Sequence, residues 1–154
     1  MEISIDIPLD GEGFLRRECP ACLGQFKWFV GPTDATPADW QDPDEYHCPY
    51  CGAAAGPDAW WTQEQLDYVQ AVGAGAVHEQ VVEELEHMAR RSANDFIKLE
   101  VTADPPPEPA RLFDPPDDMD TVEPPCHPFE PLKVRLAVGV VHCLICGNPF
   151  TVAA

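Results

Sequence analysis

The chain has 154 residues, with 27 acidic against 9 basic side chains and a formal net charge of -18 at pH 7. This charge disfavours general nucleic-acid binding, because contacts with phosphates require exposed Lys and Arg side chains. The first residues, MEISIDIPLDGEG, lack the basic start and apolar core of a signal peptide. No segment approaches the ~18 apolar residues of a membrane helix. The sequence therefore predicts a soluble, cytoplasmic protein.

The cysteine content is the second informative feature of the composition. Seven cysteines are many for a chain expected in the reducing cytosol, where structural disulfides are rare. An odd number also argues against complete pairing. Metal ligation is therefore the favoured role for these residues.

The first predicted segment, residues 1–61, contains two Cys-x-x-Cys turns. Cys19 pairs with Cys22 and Cys48 pairs with Cys51, and the residues between the two turns can form a β-hairpin. Each such turn presents two thiolates on one side of a tetrahedron, so two turns complete the coordination of one ion. The pattern predicts a structural metal site, because four cysteines leave no open position for water.

The second of these turns carries a family resemblance. Its sequence, Cys-Pro-Tyr-Cys-Gly from Cys48 to Gly52, resembles the knuckles of zinc-ribbon and rubredoxin-like proteins over residues 14–61. The resemblance implies short hairpins around a zinc ion, with iron as the alternative at this site. The first turn departs from the pattern, since Leu23 precedes Gly24. A glutaredoxin-like redox pair is disfavoured because Gly52 follows at once, where a helix is expected.

Residues 62–103 are predicted to form a helix and a following strand that pack on the first segment. Thr62 and Gln65 have the spacing of a capping box at the start of the helix. A strand is predicted at 96–101 from its alternation and β-branched residues. Apolar residues recur along one helical face, which is predicted to be buried; they include Leu66, Val69, Val77, Val81, Leu85 and Met88.

Residues 104–123 have a different composition from the rest of the chain. Proline and acidic side chains dominate this segment, so it has too little apolar surface to fold alone. The sequence predicts an extended linker here. Within it, Met119 and Phe113 are candidates for contacts with a neighbouring module.

The last segment, residues 124–154, resembles a second and smaller zinc-knuckle module. It contains the third turn, Cys143 with Cys146, and Cys126 faces them as a third ligand. His127 is the predicted fourth ligand, because its proline-flanked stretch can be bent to direct neighbouring side chains at one ion. His142 and a water molecule are the alternatives. An open, water-filled position would resemble a catalytic zinc centre.

Together these features predict a small, metal-stabilised α+β fold. It has N-terminal zinc-ribbon hairpins, a central helix, a proline-rich acidic linker and a C-terminal zinc-ribbon-like β module. The predicted function is a non-enzymatic protein with two structural zinc ions that acts as an interaction or scaffold module. Its expected partner is another protein, preferably a basic one. No nucleotide-binding loop, nucleophile elbow or Ser/His/Asp arrangement is present in the sequence, so no catalytic residues are predicted.

Two alternative functions compete with this prediction. Many zinc ribbons act in transcription or RNA metabolism, and a small basic surface for nucleic acid is available from Arg16, Arg17 and Lys27 or from Lys133 and Arg135. A rubredoxin-like iron electron carrier is the other alternative, because ligand spacing alone does not distinguish iron from zinc.

Overall fold

The structure, a computed structural model, is a small α+β fold. It combines antiparallel strand hairpins, one α-helix among the described residues and two clusters of cysteine side chains. The predicted fold class is confirmed. The described residues are 2–106, 108–135 and 139–152. Parts of the predicted linker and C-terminal module lie outside the described residues, at 107, 136–138 and 153–154.

The chain divides into two compact units. The helical unit comprises Met1–Ile7 and Glu64–Leu112, and the cysteine unit comprises Pro8–Gln63 and Phe113–Ala154. All seven cysteines therefore belong to one unit. The third cysteine turn, predicted to belong to a C-terminal module from residue 124, lies in the same unit as the first two turns.

A four-stranded antiparallel sheet joins the two ends of the cysteine unit. Its strands are β1 (Phe14–Glu18), β2 (Gln25–Phe29), β5 (Asp120–Val122) and β6 (Leu132–Val134). They lie in the order β1-β2-β6-β5, and Lys27 of β2 stands opposite Lys133 of β6. The β2–β6 pairing links residues far apart in the chain, which composition alone does not reveal.

Two short hairpins complete the cysteine unit, and one apolar core connects them to the sheet. Fully buried Phe26 and Trp60 meet edge to face, with ring centroids 5.8 Å apart. Cys19, Cys48 and Leu144, one from each cysteine turn, belong to the same core cluster. The hairpins are β3 (Tyr46–His47) with β4 (Ala54–Ala55), and β7 (Gly139–His142) with β8 (Pro149–Val152).

Helix α1 (Gln63–Ser92) is the main element of the helical unit. It begins directly after Thr62, the predicted N-cap position, and ends next to Arg90 and Arg91, which suit the negative end of the helix dipole. Its apolar stripe is not a buried face, contrary to the prediction: Leu66, Val77, Val81, Leu85 and Met88 are between 37% and 53% exposed. Among the described residues, no helix combines the length and apolar character that a membrane span requires.

The strand predicted at 96–101 is absent from the described part of the helical unit. The side-chain oxygen of Asn94 accepts hydrogen bonds from the amides of Phe96 and Ile97, both at 2.8 Å, which bends the chain into a turn. Phe96 is 96% exposed. Alternation along the sequence predicted a strand, but none of the described strands pairs with this segment.

The predicted linker, 104–123, ends inside the sheet. Residues Asp120–Val122 form β5, and Met119 is buried, as the prediction of a contact residue requires. Phe113, the other candidate, is 76% exposed. Proline and acidic content predicted an extended chain, and the extended chain here pairs with the edge of β6.

Candidate metal centres

The three Cys-x-x-Cys turns share one backbone arrangement. In each turn, the amide of the first cysteine donates to the carbonyl five residues later, and the amide four residues later donates back to the first cysteine's carbonyl. All of these bonds are 2.9–3.0 Å long. They join Cys19 to Gly24 and Leu23 to Cys19 in the first turn, Cys48 to Ala53 and Gly52 to Cys48 in the second, and Cys143 to Asn148 and Gly147 to Cys143 in the third. Because the backbone closes the turn, the two thiols of each pair point to one side.

The residue four positions after the first cysteine has a positive φ in every turn. Gly52 and Gly147 have φ of 75° and 72°, which glycine adopts without steric cost. Leu23 has φ of 62° at the equivalent position. The glycine of the first turn lies one residue later because the Tyr50 ring approaches there: a Cβ on Gly24 would lie 2.7 Å from Tyr50 Cδ2. The departure of this turn from the family pattern thus has a local cause.

The first cluster brings together the four predicted ligands Cys19, Cys22, Cys48 and Cys51, with all four sulfurs within 4.8 Å of one another. The Cys19–Cys51 and Cys22–Cys48 sulfur pairs are each 3.7 Å apart. A zinc–sulfur bond of about 2.3 Å gives a tetrahedral edge of about 3.8 Å. The spacing therefore fits one tetrahedral ion.

Backbone amides point at the sulfurs of this cluster. The amides of Ala21 and Cys22 donate to the Cys19 sulfur at 3.3 and 3.4 Å, and that of Tyr50 donates to the Cys48 sulfur at 3.4 Å. Burial raises the pKa of the Cys48 thiol well above its ordinary value, although amide donors oppose the shift. A bound cation would compensate the buried thiolate charge, so the donor set fits a metal better than it fits free thiols.

The second cluster brings together Cys126, His127, Cys143 and Cys146, whose ligand atoms also lie within 4.8 Å of one another. The Cys126 and Cys146 sulfurs are 3.4 Å apart, and the Cys143 sulfur is 3.4 Å from Nδ1 of His127. Burial raises the pKa of the Cys143 thiol to about 12. Three sulfurs and one imidazole nitrogen are a common donor set for structural zinc.

The structure places His127 beside the three thiols and places His142 elsewhere. The His127 ring lies against Trp40 and Phe129, with ring centroids 6.0 and 5.8 Å away. Nδ1 of His142 instead lies 3.2 Å from the carbonyl oxygen of Gly147. Adjacent Cys126 and His127 both reach the cluster because their stretch turns, with the His127 amide donating to Pro124 at 3.2 Å.

The second and third turns also bind each other, a relation that the sequence interpretation missed. The His47 amide donates to the Leu144 carbonyl at 2.8 Å, and the His142 amide donates to the Pro49 carbonyl at 2.9 Å. The histidine ring of each turn also lies against the glycine of the other turn. A Cβ on Gly147 would lie 2.6 Å from the His47 ring, and a Cβ on Gly52 would lie 3.1 Å from the His142 ring. The sequence signal for this contact is the repeated pattern His-Cys-x-x-Cys-Gly, which begins at His47 and again at His142.

The chain shows no significant similarity to any protein-family model, curated protein or solved structure. Its classification therefore rests on the site geometry. Two clusters of zinc-knuckle type, both in the cysteine unit, can each hold a tetrahedral metal ion.

Proposed function

We propose that this chain is a non-enzymatic zinc protein in which two structural zinc ions hold the cysteine unit together as an interaction or scaffold module. The observation that carries the proposal is the pair of four-ligand clusters, each with ligand atoms within 4.8 Å of one another. Four protein ligands fill a tetrahedral sphere and leave no position for a catalytic water. The zinc ions would then serve the fold rather than a reaction.

Metal analysis of the purified protein tests the number and identity of the ions. We expect two zinc ions per chain. The Cys48→Ser variant should lose one ion, and the Cys143→Ser variant should lose the other. The matched control is Thr121→Ser, at an exposed strand position that is not a ligand, and it should lose none. One ion per chain in the wild type would contradict the second site. A coloured protein containing iron would instead favour the electron-carrier alternative.

The proposed role in binding another protein rests on the exposed face of α1. The apolar stripe and the acidic side chains Glu79, Glu83 and Glu86 lie on different faces of this exposed helix, so a basic protein with an apolar groove would complement both. A double substitution, Val81→Glu with Leu85→Glu, should abolish capture of a partner at low salt. Glu83→Gln with Glu86→Gln is the matched control and should weaken capture only modestly. Capture that is unchanged by the first pair would contradict a role for this face.

Nucleic-acid binding has little support from the basic side chains on which it would depend. Lys27 and Lys133 are fully buried and both contact Asp10, at 3.1 and 2.8 Å. Arg17 is also buried, and Arg16 forms an ion pair with Asp118 at 2.7 Å. These cations stabilise the fold instead of facing solvent, which leaves few charges for phosphates. Gel-shift binding at physiological salt would revive this alternative.

A further inference from the structure

An aromatic groove of about 570 Å³ lies on one face of the β1–β2 hairpin, within the cysteine unit. Leu15 stands opposite Trp28 in the hairpin, and Arg17 lies two residues after Leu15, so these three side chains share that face. Leu15 and Arg17 are buried, whereas Trp28 is partly exposed. The floor of the groove is therefore a sheet face.

The loop that follows β2 forms a wall of this groove. Pro32, Pro37 and Trp40 of the loop line it. The loop is held by its own backbone bonds, because the Thr36 amide donates to the Thr33 carbonyl and the Trp40 amide donates to the Pro37 carbonyl, both at 3.1 Å. The wall therefore has a defined shape before any ligand arrives.

Three aromatic side chains in the lining are fixed by their neighbours but keep part of their surface exposed. The ring centroids of Trp28 and Tyr46 are 4.8 Å apart, and Trp40 is held edge to face against Phe129, also at 4.8 Å. Trp28, Trp40 and Tyr46 are each partly exposed. Rigid aromatic rings lose little conformational entropy when a ligand packs against them. The groove is thus preorganised for an apolar, ring-bearing ligand.

The mouth of the groove is acidic. Residues 31–46 contain no Lys or Arg, and they carry five exposed carboxyl groups, at Asp34, Asp39, Asp42, Asp44 and Glu45. Asp42 lines the groove itself. Glu130 also lines the groove and can only add to this sign, because a carboxyl group is either neutral or negative. Charge complementarity therefore favours a ligand that carries a basic group beside its apolar part.

Arg17 is the one Lys or Arg among the described residues that line the groove, and it lies below the accessible surface. Its guanidinium carbon is 4.4 Å from the ring centre of Trp28 and 4.5 Å from that of Trp61. Its Nε and Nη1 atoms are buried. The guanidinium group is therefore covered by the two indoles and does not supply contacts to a ligand at the acidic mouth.

The position of the groove on a sheet face restricts the backbone conformation of a bound chain. Strand β2 pairs on both sides, with β1 and with β6, so a ligand cannot join the sheet as a strand beside it. A polyproline II segment needs no such backbone partners, and its proline rings dock in grooves lined by aromatic side chains.

We propose that the aromatic groove binds a proline-rich segment of another protein that carries a basic residue beside its prolines. The proline rings pack against Trp28, Trp40 and Tyr46, and the basic side chain lies at the mouth near Asp42. The chain's own proline-rich segment at 104–116 is not the expected occupant, because it carries three acidic residues and one basic residue and would meet like charges. The site uses no residue of α1, so it goes beyond the partner contact proposed for that helix.

Calorimetric titration of the full, metal-loaded chain with the blocked peptide Pro-Pro-Leu-Pro-Pro-Arg-Pro tests the proposal. A ligand that uses both the rings and the charge should bind with a Kd of about 1 mM or tighter. In one control peptide alanine replaces every proline, and in the other glutamate replaces the arginine. We expect each control to bind at least about tenfold more weakly, the first because its backbone is no longer preorganised and the second because its charge is reversed.

Each peptide comparison can overturn the proposal. Equal binding of the alanine peptide would show that the charge alone, or another backbone conformation, is recognised. Equal binding of the glutamate peptide would show that the acidic mouth has no role. Absence of binding by the basic proline-rich peptide would remove the site altogether.

A pair of charge variants places the binding in the groove. Asp42→Lys should weaken binding of the basic peptide about fivefold, because it removes an attractive charge and adds a repulsive one. Glu100→Lys makes the same change in net charge at an exposed residue of the helical unit and should leave the affinity unchanged. Equal effects of the two variants would show that only the net charge matters, and would refute the assignment.

Trp40→Ala removes an aromatic wall and should abolish detectable peptide binding. Zinc content and circular dichroism verify that this variant is folded, since Trp40 also contacts His127; if it is not, the peptide series and the charge pair still decide. A folded variant with wild-type affinity would contradict the proposal. Val81→Glu with Leu85→Glu should bind the peptide as the wild type does, so failure of the α1 contact and failure of the groove can be distinguished.

Discussion

Leu23 is the one residue other than glycine with a positive φ in the described part of the chain. A left-handed conformation costs an L-residue about 1–2 kcal/mol. The Leu23 side chain is 67% exposed, so its removal gives up little burial. We therefore expect Leu23→Gly to raise the free energy of unfolding by about 1 kcal/mol, reduced somewhat by the entropy of glycine.

Urea unfolding of the metal-loaded protein measures this change. The matched control is Gly52→Ala, which introduces a Cβ at the equivalent position of the second turn and should lower the free energy of unfolding. An unchanged or lower stability of Leu23→Gly would show that the turn is not strained at Leu23.

Asp10 holds two buried lysines at the centre of the sheet. Its carboxylate lies 3.1 Å from Lys27 and 2.8 Å from Lys133, and it also accepts the amides of Glu12 and Phe14 at 3.0 Å. Asp10→Asn leaves both ammonium groups buried without this charge. We expect it to lower the free energy of unfolding by about 3–5 kcal/mol. Asp117→Asn, at an exposed carboxylate 4.0 Å from Lys133, is the control and should have little effect.

The contribution of Asp10 should depend on pH in a defined direction. Burial alone would raise its pKa, but the lysines and the two amides hold the pKa well below the ordinary value of 3.8. A depressed pKa in the folded state stabilises the protein above the unfolded pKa, and this stability is lost as the pH falls through the folded value. The stability difference between wild type and Asp10→Asn should therefore shrink as the pH falls below 3.8. A constant difference would contradict the role of the charge.

Helix α1 contains two glycines that nothing in its surroundings requires. A Cβ on Gly73 or Gly75 would meet no other described atom within 4 Å. Each glycine in a helix interior costs about 1 kcal/mol relative to alanine. Gly73→Ala with Gly75→Ala should therefore raise the thermal midpoint of the helical signal in circular dichroism. A neutral helix double variant would indicate a hidden contact.

Local elements were predictable from the sequence, and the reason is physical. A Cys-x-x-Cys turn closes on its own backbone bonds, so its spacing identifies it, and the glycines at Gly52 and Gly147 mark the positive φ. The start of α1 after Thr62 is likewise a local signal. The strand predicted at 96–101 is wrong, because alternation along a sequence does not reveal whether a partner strand is available.

Non-local relations were not predictable in the same way. Lys27 and Lys133 look like surface charges in the sequence, and only the β2–β6 pairing brings them to one buried carboxylate. The sequence shows that a side chain is charged, but it does not show which group that side chain will contact in the folded protein.

At the scale of the cysteine unit, the reciprocal bonds between the second and third turns should couple the two clusters. His47 and His142 each donate across the interface, so a disordered third turn would remove support from the second. Given metal in both clusters, Cys126→Ser should release one ion and weaken the binding of the remaining one by about fivefold or more. Competition with a coloured zinc chelator measures this affinity. An affinity equal to that of the wild-type first cluster would show that the sites are independent.

The pairing of β2 with β6 also sets an order of events during synthesis. The N-terminal hairpin of β1 and β2 leaves the ribosome long before Leu132–Val134 exists to cover the other edge of β2. Until then, Lys27 has Asp10 beside it but Phe26 lacks the apolar residues of the last segment. The nascent chain must therefore keep an open strand edge and an incomplete core while the residues between β2 and β6 are synthesised, and its many acidic side chains discourage aggregation during that interval.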